Sequence, residues 1–177
     1  MLHTIKRKAS PTRELGPVEL LLECHQRIRT FTALAARLAG AADRPHHEVS
    51  TAAAQVHRYF TVALPLHEAD EEESITPLLL SEPGGEAVAA ATTTMADEHR
   101  AAHELLGALE PGWARLAEDP RELARLAPAL ASTTDALAAL FVRHLAREET
   151  EIFPRIAALT EEQRRALVTA MRTRRGA

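Results

Sequence analysis

Apolar residues recur at three- and four-residue intervals along most of the chain, the spacing that lines one face of an α-helix. Leu21, Leu22 and Ile28 keep this rhythm, as do Ala63, Leu64, Ile75 and Leu78, then Met95 and Leu106, then Leu140, Phe141 and Ile152. Turn-forming clusters cut the pattern into four long amphipathic stretches and a tail. The first runs from about Pro17, suited to a first helical turn, to Gly40, suited to a C-terminal cap. The second runs from about His46 to Leu80 and ends at Ser81-Glu82-Pro83-Gly84-Gly85. The third spans about Glu86 to Leu109 and stops at Glu110-Pro111-Gly112, with a short helical turn expected around Trp113 to Glu118. Asp119-Pro120-Arg121-Glu122 reads as a capping box that opens a fourth stretch reaching about Leu159. A second capping box, Thr160-Glu161-Glu162-Gln163, starts a C-terminal helix whose closing Arg172-Thr173-Arg174-Arg175 complements the helix dipole.

Short connections between four long amphipathic segments predict an all-α fold, an antiparallel up-down-up-down four-helix bundle with a short C-terminal helix. Residues 1–16 then form an N-terminal extension, 17–159 the bundle, and 160–177 the last helix and tail. Pro65, Pro77, Pro128 and Pro154 fall inside the proposed helices, and each is expected to kink or break its helix because it lacks an N–H.

Composition supports helices packed closely on one another. The chain of 177 residues is 46% hydrophobic but only 3% aromatic, with Ala and Leu dominating. A net charge of −4 is mild and argues for neither nucleic acid nor an anionic membrane as partner. The single cysteine, Cys24, excludes an intramolecular disulfide and fits a reducing compartment. Met1 to Arg13 lacks an apolar stretch after its basic residues, so no secretory signal is expected and the cytoplasm is the expected location. No apolar run approaches the roughly 18 residues that would span a bilayer. Oligomeric state is not legible.

The second and fourth stretches echo each other. In both, a His is followed by Glu at the fourth position, a further Glu, an Ile and a Pro: His67, Glu71, Glu72, Ile75 and Pro77 in one, His144, Glu148, Glu149, Ile152 and Pro154 in the other, at a constant offset of 77. Glu23-Cys24-His25 and Asp97-Glu98-His99 echo more loosely. A two-helix unit used twice would place paired residues symmetrically about one centre.

Those paired residues are chemically marked. His67 and Glu71 are four apart and so share a helix face, as do His144 and Glu148, and His99 and His103. Flanking apolar residues set these faces, and that of His25, toward the core. Ionised carboxylates buried there without partners would cost several kcal/mol each, and no Lys or Arg shares those faces. A bound cation offsets that cost. Histidine nitrogens with carboxylate oxygens suit iron, manganese or zinc, and one cysteine is too few for an iron–sulfur cluster. Two roughly octahedral metals offer about twelve positions. Five histidines, two bridging carboxylates and one bridging oxo or hydroxo group would leave about one position open.

At this point the sequence resembles the hemerythrin-like, or HHE cation-binding, family in its stand-alone bacterial form. The resemblance spans about Pro17 to Leu159 and rests on His25, His67-x-x-x-Glu71, His99-x-x-x-His103 and His144-x-x-x-Glu148 taken as a set. It implies a non-haem di-iron centre that binds dioxygen, nitric oxide or peroxide for sensing, storage or delivery. An enzyme that consumes peroxide or handles iron, including iron donation for iron–sulfur cluster repair, is the alternative. The oxygen carriers of the family have an Asp five residues after the fourth-helix His, whereas here Glu148 stands four residues after it. Some relatives replace the His103 equivalent with the acid after the second-helix His, which is Glu68 here.

The remaining candidates read as structural. His46 and His47 fall at a helix start and are expected to be exposed, His57 is roughly 15 Å along the helix from His67, and His3 is near the chain end. Cys24 is turned about 100° from His25 and reads as a small packed residue, and Tyr59 and Trp113 read as core. Apart from Glu71 and Glu148, the acidic runs 71–73 and 148–151 read as solvated faces.

Overall fold

The computed structural model describes residues 15–176, so the N-terminal extension before Leu15, with His3, lies outside the described residues. Five helical rods follow one another: α1 (Pro17–Ala39), α2 (46–81), α3 (Glu86–Glu118), α4 (123–158) and α5 (Glu161–Arg174). α1 packs on α2 and α4, and α3 packs on the same two, so the first four close a ring in chain order. With short connections between them, this is the up-down-up-down bundle.

Each helix earns its place through one buried stripe. In α1 the stripe is Pro17, Leu21, His25, Ile28, Thr32, Ala35 and Leu38. In α3 it is Met95, His99, Ala102, Leu106, Leu109, Trp113 and Leu116. Alternating steps of four and three residues keep such a seam facing its neighbours over many turns. The tight α2–α3 connection depends on two glycines. Gly84 has a positive φ of 82°, and a Cβ on Gly85 would run into the Leu80 carbonyl.

The apolar interior forms two clusters, stacked along the bundle. One gathers Ile28, Phe60, Leu64, Ala102, Trp113, Phe141 and Leu145. The other gathers Leu21, Ile75, Leu79, Ile152, Phe153 and Ile156, with Leu167 and Met171 supplied by α5. Chain order shows what separates them. His25 falls between Leu21 and Ile28, Glu71 between Leu64 and Ile75, and Glu148 between Leu145 and Ile152. A polar layer crosses the bundle between two dry ones.

The prolines act differently from the sequence expectation. α2 and α4 are not broken at Pro65, Pro77 and Pro154; each of these follows a π-helical turn, at Tyr59–Ala63, Asp70–Ile75 and Glu148–Ile152. The residue before each proline donates its N–H back five residues, Leu64 to Tyr59, Thr76 to Glu71 and Phe153 to Glu148. The wider turn shifts the carbonyl that the proline ring would otherwise strike. Pro128 is carried inside the first stretch of α4, Leu123–Arg147, without such a turn.

α3 also corrects the reading of Glu110-Pro111-Gly112 as a stop: the helix continues through Pro111 to Glu118. Trp113 and Leu116, both fully buried, hold the extra turns against the neighbouring helices. Gly112 helps by leaving room for Leu130, whose Cδ2 is 2.8 Å from where a Cβ would stand. Pro111 is exposed. Pro111→Ala is therefore expected to stabilise the fold, by up to about 3 kcal/mol, readable as a rise in thermal midpoint of several degrees.

The two capping boxes also differ. That of Thr160 and Gln163 is formed in both directions and opens α5. At Asp119 the box does not form: the carboxylate caps by accepting from the Arg121 N–H, one residue short of the box position, and starts a 3₁₀ turn, Pro120–Glu122, while Glu122 accepts from Arg125 at 2.6 Å. The basic end of α5 does more than complement a dipole. Arg174 and Arg175 both pair with the fully buried Asp70 of α2, the latter at 2.6 Å. This pins α5 beside the π turn that carries Glu71.

Candidate metal centre

Six of the seven residues expected from sequence come together in the polar layer. His25 stands on α1, His67 and Glu71 on α2, His99 on α3, and His144 and Glu148 on α4, each between 0 and 3% exposed. They form two groups, His25, His67, Glu71 and Glu148 in one, and Glu71, His99, His144 and Glu148 in the other. Within each group the candidate ligand atoms lie within 4.8 Å of one another. Both carboxylates belong to both groups.

The distances follow that symmetry. Glu71 presents one oxygen to His67 Nε2 at 3.3 Å and the other to His99 Nε2 at 3.4 Å. Glu148 presents one to His25 Nε2 at 3.0 Å and the other to His144 Nε2 at 2.9 Å. Imidazoles pair edge to face, His25 with His67 at 5.3 Å and His99 with His144 at 4.8 Å. The two acids also accept, through their own backbone carbonyls, the bond that closes each π turn, so the irregular turns sit at equivalent places in the repeat.

Several of these atoms are buried and lack a hydrogen bond: Nε2 of His25, His67 and His99, and both oxygens of Glu71 and Glu148. Orphaned buried polar atoms are costly, and this many on one layer call for a partner. They are the donor types a divalent or trivalent transition metal takes, so the residues fit a metal.

Charge in the cluster is set by burial and by neighbours. Burial, then the Glu148 charge, drives the Glu71 pKa well above the usual carboxylate range. Burial pushes Glu148 up too, but close contacts from His144 and His25 outweigh it and hold its carboxyl well below that range. Burial lowers His67 to about 3, so it is neutral at any ordinary pH. Burial also lowers His144, yet the carboxylates of Glu148 and Glu98 outweigh it and raise the ring above its usual value. Two interacting acids thus titrate far apart, and a cation would let both ionise.

Behind the histidines stand three carboxylates, two of which, Glu72 and Glu149, belong to the acidic runs expected to be solvated faces. Glu149 accepts from His25 Nδ1 at 2.8 Å and is held in turn by Arg29 at 2.7 Å. Glu72 meets His99 Nδ1 at 2.7 Å, and Glu98 meets His144 Nδ1 at 3.1 Å. Such a partner fixes a metal-binding imidazole in the tautomer that leaves Nε2 free. The signal was available, since Glu72 and Glu149 recur at the offset of 77 as faithfully as the two histidines.

The expectation that His103 faces the core does not hold. Its side chain is 59% exposed and its Nε2 lies 2.7 Å from Glu68, outside both groups. Glu68 is itself buried, also outside both groups. His46 and His47 are exposed as expected, and His57 is half-buried away from the layer. Tyr59 stacks on Phe31 at 4.1 Å and Trp113 on Phe60 at 5.4 Å, so both serve the core. Cys24 is half-buried, with Arg175 at 4.0 Å from its sulfur.

The model of the hemerythrin HHE cation binding domain matches residues 16–172. The chain belongs to the hemerythrin HHE family. Its helical bundle and its buried His and Glu groups fit a cation-binding domain. No curated protein matches the sequence. Among the described residues no helix is long and apolar enough to cross a membrane.

Proposed function

We propose that this hemerythrin-family chain is a di-iron protein that takes up dioxygen or a related small ligand, such as nitric oxide or peroxide, for sensing, storage or delivery. On this reading His25 and His67 would hold one iron and His99 and His144 the other, with Glu71 and Glu148 available to both. The observation that carries it is the sharing of both carboxylates between the two four-residue groups.

Four protein donors per ion leave about two of roughly six octahedral positions to other ligands. Iron, when bound, supplies a redox-active cation with room for a diatomic molecule or peroxide. The chain's own residues do the rest. Bridging carboxylates offset the cations' charge, Glu72, Glu98 and Glu149 orient the imidazoles, and the flanking apolar layers keep bulk water away. Exposures of 0–3% at all six ligands favour a ligand of only a few atoms. His103, turned outward, is left out of the ligand set. The lone cysteine favours a reducing compartment such as the cytoplasm.

Aerobically purified protein is expected to carry about two iron atoms per chain, with charge-transfer absorption that shifts on adding nitric oxide or peroxide. Zinc alone, or iron whose spectrum no small ligand perturbs, would sink the proposal. Peroxide turnover faster than that of free iron, abolished by His67→Ala, would move the assignment to the enzyme alternative.

A further inference from the structure

The repeat makes the two halves of the centre comparable residue by residue, and one of the four carboxylate partners behind the imidazoles is missing. An offset of 77 relates His67, Glu71 and Glu72 to His144, Glu148 and Glu149, and an offset of 74 relates Cys24 and His25 to Glu98 and His99. Contacts obey this mapping. Glu149 on His25 at 2.8 Å has its counterpart in Glu72 on His99 at 2.7 Å. Glu98 on His144 at 3.1 Å, backed by Arg147 at 3.5 Å, has none. The corresponding position on α1 is Cys24, and His67 Nδ1 is buried with no hydrogen-bond partner among the described residues.

A carboxylate that accepts from the far nitrogen of a metal-binding imidazole fixes its tautomer and orientation and raises the basicity of the ligating nitrogen. Losing such a partner typically costs about 10–100-fold in metal affinity. Three of the four histidines have this support, and His67 does not.

Resting on the two-metal reading above, we infer that the two positions are unequal. The position between His99 and His144 binds its ion more tightly and fills first, and Glu98 is the positioning residue responsible. The position between His25 and His67 is the exchangeable one.

The test uses the full chain, stripped of metal and reloaded anaerobically with ferrous iron against a competing chelator. Two binding steps about 10–100-fold apart are expected. Repulsion between two cations would also separate the steps, but it would not choose a position. Anomalous scattering from crystals loaded with one equivalent should therefore peak between His99 and His144. Glu98→Ala should weaken the first step by about 10–100-fold, and Glu98→Gln, which keeps an acceptor without the charge, by less. Glu98 lies at the edge of the bundle, 16% exposed, and helical circular dichroism checks that the variants fold. A first ion between His25 and His67, equal occupancy of both positions at one equivalent, or an unchanged first step in Glu98→Ala would overturn the inference while leaving the di-iron reading intact. Failure of the unaltered chain to bind a second ion would instead remove the reading on which it rests.

Discussion

Glu71→Gln is expected to lose metal and gain stability at once. Glu71 presents one oxygen to each half of the centre, so on the proposed two-metal reading an amide there removes a ligand charge from both. Removing an outer-shell partner typically costs 10–100-fold in metal affinity. Loss of a bridging ligand should exceed that, giving at least a roughly 100-fold fall at each position, measured by chelator competition. In metal-free protein the sign reverses. Burial and the neighbouring Glu148 raise the Glu71 pKa above its unfolded value. Its contribution to stability is therefore fully present below the unfolded value, near 4.5, and is lost as pH rises through the folded one. Gln does not titrate and escapes that loss. Denaturant unfolding of the two metal-free proteins should show the variant gaining on the parent between pH 5 and pH 8. Two ions retained at unchanged affinity would contradict the bridging role.

Chelation should cost the parent protein a large part of its thermal stability, and more at high pH than at low. A ligand at a thousand times its Kd stabilises the fold by about 4 kcal/mol. At roughly 2–4 °C per kcal/mol for a chain of this size, stripping the metal should lower the midpoint by on the order of 10 °C. The pH dependence follows from the protons that must leave. Glu71 must ionise to bind, and His144, held above its usual value by Glu148 and Glu98 against the effect of burial, must also give up a proton. His67, lowered to about 3, has none to give. Metal binding thus releases protons and strengthens as pH rises. The difference in midpoint between loaded and stripped protein should be wider at pH 8 than at pH 5.5. A difference that narrows with rising pH would mean that the raised acid is not a ligand.

The bundle and the six converging residues were legible because both are written in short spacings. A His and a Glu four apart must share a face, and apolar neighbours say which face it is. His103 shows where that reasoning fails. It stands four residues after His99, but the inward stripe of α3 runs Met95, His99, Ala102, Leu106, Leu109 and Trp113. A step of four into His99 is followed by a step of three, so the next inward place belongs to Ala102 and His103 turns to solvent. Counting the seam over several turns, rather than from one pair, would have found this.

Other features depended on long-range contacts. Nothing local says that Glu149 on α4 serves His25 on α1, or that Arg174 and Arg175 reach the buried Asp70. Local signals also lost to packing at Pro111, where the buried Trp113 and Leu116 carry the helix past its stop. The π turns had only an indirect trace: Pro77 and Pro154 recur at the same offset of 77 as Glu71 and Glu148, the acids carried within the two turns.

The proposed dinuclear centre is tested most directly by crystals of the metal-loaded protein measured across the absorption edges of iron, manganese and zinc. Two iron peaks per chain are expected, one beside His25 and His67 and the other beside His99 and His144, each in contact with both Glu71 and Glu148. A single peak, or peaks in which either carboxylate touches only one ion, would contradict the account.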